Sequence, residues 1–274
     1  MDYPATLLDS MRQRAAEAKE AATALRAQAE EASQIEKVWA DLLGLVDRDW
    51  PLHIVHLIDR QSSLLKNMRL SARPGIPELE QLYRLAKESS KALLRQFPRD
   101  LEQACQAKGL PLDPESRHPR YSFDQRFFQL EVDEQKGIAR LSDNEGNLAQ
   151  IPADVAAIAE RVEAERKRIC DRRFDGKKFL KALRTHYLAV VKKEAQQDGT
   201  SIPIRQITRR MGKNVKRFRT DEFIFDLSRL VDQGPLEIEG VRLDLQQTKD
   251  TNQGILLHGK AGRGYIGFIV FRRV

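Results

Sequence analysis

The chain has 274 residues, 41% of them hydrophobic and 32% charged, with a net charge of +7. That hydrophobic share supports a core and excludes a disordered chain, and no window of about 18 residues is free of charge, which excludes a membrane span. Cys105 and Cys170 lie too far apart for a disulfide framework or a zinc site. Met1-Asp2-Tyr3-Pro4 lacks the basic start and apolar run of a secretory signal. The expectation is a soluble cytoplasmic protein of about two domains.

Residues 5 to about 47 read as one long helix. Met11, Ala15, Ala18, Ala22, Leu25, Ala29 and Ala32 step by four and three, the seam of a coiled coil. After a three-residue slip, Ile35, Trp39, Leu42 and Val46 continue the stripe. The Ala-rich half buries little area on its own. It is either an arm that pairs with a partner chain or with itself, or a helix packed on later helices of this chain. Pro51 ends the run. A second helix carries Leu52, Val55, Ile58, Leu64, Leu65 and Met68, and a third runs from Glu78 and stops before Pro98. A short fourth helix, about Asp100 to Lys108, ends at Gly109.

Leu110 to Arg120 holds three prolines and no period, so it reads as a loop. Phe127–Val132 and Gly137–Leu141 alternate as strands, and Leu148–Ile151 reads as a third. Pro152 fits a first helical turn and Asp154 a cap for a helix to about Arg173. A helix from Lys177 to about Gln197 follows, then a short extended Ser201–Ile204 and a helix from Arg205 to Met211 that Gly212 stops. Thr220 is placed to cap a helix over Asp221–Asp232. Three strands close the chain, over Leu236–Leu245, Gly254–His258 and Tyr265–Phe271.

Charge is concentrated. Between Arg172 and Arg219 stand fifteen basic residues and three acids, a net +12 that leaves −5 for the rest. Such a patch attracts polyanions. The last hundred residues, through Ile202-Pro203-Ile204 before the second helix and the run Leu227-x-x-Leu230-x-x-x-Gly234-x-Leu236-x-Ile238, resemble the winged helix-turn-helix superfamily. The resemblance implies a scaffold that binds duplex DNA or, less often, only protein. In that superfamily the third helix enters the major groove. Here that helix presents Asp221, Glu222, Asp226 and Asp232, with Arg229 its one outer cation. Phosphate clamping by Arg205, Arg209, Arg210, Lys213, Lys216, Arg217 and Arg219, with Lys260 and Arg263 of the wing loop, is therefore expected over base reading.

Catalytic motifs are lacking. His53-x-x-His56 has no third ligand, so the pair reads as packed or solvated. Gly259-x-x-Gly262-x-Gly264 lies between strands, where a phosphate loop needs a helix behind it. The expected class is mainly α with small β elements. Residues 1–109 form a helical region with a coiled-coil-like arm, 110–173 a small β-hairpin region with a linking helix, and 174–274 a basic winged-helix-like domain. The expected role is a non-enzymatic, DNA-binding accessory subunit of a multi-protein DNA-transaction or genome-defence assembly, with no cofactor and no metal. Its partners are duplex DNA and a protein or a second copy met through the first helix. Two alternatives stand: an adaptor whose winged helix docks protein, and a metal-dependent nuclease using acids among Asp113, Glu115, Asp124, Glu131 and Asp133.

Overall fold

The computed structural model describes residues 4–259 and 264–274. The protein is mainly α with small β elements, eight helices and two small antiparallel sheets among the described residues. None of those helices is long and apolar enough to cross a membrane. The chain forms two compact units, 1–95 and 96–274.

The first unit holds α1 (Ala5–Asp47), α2 (Pro51–Arg60), α3 (Ser62–Leu70) and the start of α4 (Ile76–Ala107). Its core joins Val38 and Leu42 of α1 to Ile54, Ile58, Leu65, Met68 and Leu79. The inward stripe of α1 runs through Ile35, Val38, Trp39, Leu42 and Leu45, while Val46, expected inside, is 45% exposed. A stripe of i, i+3, i+4, i+7 is the width that packing on several helices requires, broader than a two-residue seam. Residues 5–30 of α1 are exposed throughout. The expected single second helix is two, divided at Gln61, whose N–H donates to the carbonyls of both Leu57 and Ile58. The break expected at Pro98 is absent: α4 runs through it. Phe97, Leu101 and Cys105 flank it fully buried, and that packing outweighs one lost backbone bond.

The second unit holds the rest of α4 and then β1 (Arg120–Phe123), β2 (Phe128–Asp133), β3 (Ile138–Ser142) and β4 (Asn147–Pro152), the strands paired in that order. The loop expected up to Arg120 therefore hands over to a strand of its own. Alternate residues Phe128, Leu130 and Val132 are buried, as are Ile158, Ala159 and Val162 of α5 (Val155–Ile169), which packs on β4. Pro152 ends β4 instead of opening a helix, and Asp154 takes the N-cap position of α5.

Next come α6 (Gly176–Lys193), β5 (Ile202–Pro203), α7 (Ile204–Asn214), α8 (Thr220–Gln233), β6 (Glu237–Ile238), β7 (Val241–Thr248), β8 (Ile255–Leu256) and β9 (Tyr265–Arg273). The second sheet runs β5-β9-β7-β6, with β8 also on β9. α7 passes Gly212, and Thr220 is the first helical residue after Arg219 at the N-cap position. The strand expected over 236–245 is a hairpin, turned by Glu239 and Gly240 at φ 51° and 74°. At the centre the ring of Tyr187 is fully buried. Its hydroxyl donates to Thr200 O at 2.7 Å and accepts from Gly199 N at 3.1 Å.

Candidate nucleic-acid interface

α7 buries Ile204, Ile207, Thr208 and Met211, one face at helical spacing. Its remaining faces carry the cations, and the structure divides them. Arg205 turns inward. Its guanidinium grips the carboxylate of Glu145, in the turn between β3 and β4, and donates to Gly254 O at 2.7 Å. It closes an internal contact and is not free to hold a phosphate. Arg219 lies 3.5 Å from Asp221. Arg209, Lys213, Lys216 and Arg217 are exposed, and Arg210 half-buried, and none makes an ion pair among the described residues. Arg210 stands beside His186 of α6, whose imidazole is held below its ordinary value by burial and then by the Arg210 charge. The connector after α7 is pinned by the Phe218 ring, 5.9 Å from that of Phe223 on α8, with Arg217 turned to φ 61°. Lys260 and Arg263, and with them most of the glycine-rich wing loop, lie outside the described residues.

The basic segment carries fewer available charges than its sequence. Arg172 binds Glu222 and Asp226, and Arg184 makes a two-pronged pair with Asp198. With Arg205 and Arg219 that commits four of the fifteen to acids and leaves eleven without an ion pair among the described residues.

α8 is the helix that the winged-helix resemblance would send into a groove. The structure covers it. Phe223, Ile224, Phe225, Leu227, Ser228 and Leu230 are buried, and none of residues 220–231 is exposed. Three of its four acids face α5 and the segment after it: Arg168 reaches Asp221 at 2.5 Å and Glu222 at 2.9 Å, and Arg172 reaches Asp226 at 2.5 Å, while Asp232 is exposed near the end of the helix. Burial pushes the Asp221 carboxyl up, but the Arg168 hydrogen bond and charge more than offset it and hold the group below the usual range. At Asp226 burial wins over Arg172 and the value rises. Arg229, expected to point outward, donates to Arg172 O at 3.0 Å and lies over the Phe174 ring. On another side Phe127, from the turn after β1, sets its ring 5.6 Å from Phe225 and 5.3 Å from His258. These contacts join 96–173 to 174–274 within the second compact unit.

The acids considered for a metal are occupied separately. Asp113 accepts from the N–H groups of Gln125 and Arg126, Asp124 pairs with Arg166, Glu115 with Arg126, and Glu131 with Arg120. Asp133 accepts from Lys136 N. Among the described residues no three His, Cys, Asp or Glu side chains are arranged to hold a metal ion. Arg168 and its acids escaped sequence reasoning because their partners are about 53 residues apart in the chain. Comparison with protein-family models, curated proteins and solved structures gives no match.

Proposed function

We propose that the chain is a cytoplasmic, non-enzymatic DNA-binding subunit that holds duplex DNA by its phosphates. The observation that carries this is the acid-free stretch from Arg205 to Arg219, in which Arg209, Arg210, Lys213, Lys216 and Arg217 make no ion pair among the described residues. Phosphate contacts fix position and carry no base information. The element order α6-β5-α7-α8 followed by a β5-β9-β7-β6 sheet supports reading this part as a winged helix. Lys260 and Arg263 extend the set by sequence. The exposed half of α1 supports an association role in a multi-protein DNA-transaction or genome-defence assembly. The cover over α8 favours a second reading, a winged helix that docks protein.

A salt series with duplex DNA, single-stranded DNA and RNA separates the two. Each phosphate neutralised on a duplex contributes a slope of about −0.9 in log affinity against log salt. Replacing Arg209, Arg210, Lys216 and Arg217 with Gln is expected to flatten the slope by about two to four units, equally for all sequences. Arg205→Gln should leave the slope alone. An unchanged slope in the fourfold variant puts the DNA site elsewhere, and no binding by the parent at low salt favours protein docking.

A further inference from the structure

Residues 5–30 of α1, about 39 Å of helix at 1.5 Å per residue, lie exposed. Within them Leu8, Met11 and Leu25 are 41%, 61% and 66% exposed. These three and the alanines between them form one seam: Leu8, Ala15, Ala22 and Ala29 at a heptad's first position, Met11, Ala18, Leu25 and Ala32 at its fourth. Small residues let a second helix approach closely, and the bulky ones give it register. Apolar surface of this kind asks for a cover; the charges beside the seam say which.

The positions flanking the seam on one side are Arg12, Lys19 and Arg26, and on the other Leu7, Arg14, Ala21 and Gln28. Every charge bordering the seam is positive. The acids of the same stretch, Asp9, Glu17, Glu20, Glu30 and Glu31, all fall on the outer positions. Two copies of this helix cannot pair without conflict. Side by side in parallel, Arg14 meets the Lys19 of the other copy; antiparallel, Arg12 meets Arg26 and Lys19 meets itself. The ion pairs that Arg12 and Arg14 make within the helix, to Asp9 and Glu17, are open to solvent and weak. Flanking charges set partner choice in paired helices.

We infer that the free half of α1 docks a helix of a different protein, one with bulky apolar residues against the alanines and Glu or Asp beside its own seam. This rests on the reading of the arm as an association element. The test uses the full chain and two synthetic peptides of four heptads, alike with Leu along the seam and differing only in Glu or Lys at the flanks. Anisotropy of the labelled peptides at low salt is expected to show the Glu peptide binding about a hundredfold tighter, since each of the four flanking cations attracts Glu and repels Lys. The gap should narrow as salt rises. The exposed triple change Arg12→Glu, Lys19→Glu, Arg26→Glu should reverse the preference, and the parent alone should sediment as a monomer. Equal binding of both peptides, or a preference that the triple change leaves intact, overturns the charge rule. A parent dimer that Leu8→Ser, Met11→Ser and Leu25→Ser dissociate makes a second copy the occupant. Binding of neither peptide overturns the arm reading itself.

Discussion

Arg168→Met tests whether the α5–α8 charge network is what seals α8. Arg168 holds Asp221 at 2.5 Å, Glu165 at 2.7 Å and Glu222 at 2.9 Å. Removing one partner of a buried pair costs about 3–5 kcal/mol, because the other charge stays behind without its partner. Here Glu165 keeps Arg161 at 2.7 Å and Glu222 keeps Arg172 at 3.1 Å. Asp221, with a side chain 7% exposed, is left with Arg219 at 3.5 Å. Arg168 is itself 24% exposed, which discounts the effect further. The expected cost is about 3 kcal/mol, the lower end. With a urea slope of about 2 kcal/mol/M, the midpoint falls by about 1.5 M. Both tryptophans, Trp39 and Trp50, lie in the first unit, so far-UV circular dichroism is the probe.

The pH dependence makes the test sharper. In the parent the Asp221 carboxyl sits below its ordinary value. Its contribution to stability is present above about pH 4 and is lost as the pH falls through the depressed value. Without Arg168 burial acts nearly alone and raises the value, so the ionised form becomes the costly one. The deficit of the variant is then largest near pH 7 and shrinks toward pH 4. Adding Asp221→Asn should recover most of it. A deficit below about 1 kcal/mol, or one that stays flat with pH, refutes the reasoning.

Tyr187→Phe removes a hydroxyl bonded to both Thr200 O and Gly199 N, and should cost about 1–3 kcal/mol in thermal or urea unfolding with the fold retained. Gly176→Ala would set a Cβ 2.7 Å from Gly234 O and 3.1 Å from Pro235 Cδ, so a loss of about 1–3 kcal/mol is expected; a neutral result would show the α6 start to be looser than described. Burial pushes the thiols of Cys105 and Cys170 up to about 11 and about 12. Both should therefore resist iodoacetamide at pH 8 in the folded chain and react in urea, which mass spectrometry reads directly.

Much of the fold was legible because periodicity marks an element whatever covers it. α1 is bounded at 5 and 47 in sequence and structure alike. The misses share a cause, a tertiary contact that overrides local chemistry. Pro98 carries a helix-ending signal, yet Phe97 and Leu101 are buried on either side of it. β1 is followed by Asp124, Gln125 and Arg126, all at positive φ without a glycine. Their turn is held by the Asp113 carboxylate, which accepts the N–H groups of Gln125 and Arg126 from 12 and 13 residues upstream. Nothing in the local sequence announces that turn. The cations of the candidate site were found by composition, but composition does not tell a free guanidinium from a committed one. Arg205 and Arg209 sit one turn apart on α7. One is held by Glu145 in the β3–β4 turn, and the other stands in solvent.

The acids of α8 carry the same lesson further. Read along the chain, Asp221, Glu222 and Asp226 form a face that phosphates would avoid. In the folded unit they lie against Arg168 and Arg172, so that face neither repels nor attracts from the surface. Across 220–231 every residue of α8 is buried or half-buried, so this stretch offers no fully exposed side chain to a base edge. The cations left to act sit on α7, on the connector and on the outer side of α6, where they present charge without a donor pattern. On the proposed reading, such a surface binds DNA with steep salt dependence and little preference among sequences. Any choice of where the protein acts then has to come from what the α1 arm holds. Binding that discriminates among duplex sequences in the absence of any partner would break this division of labour, and a duplex competition series at fixed salt measures it.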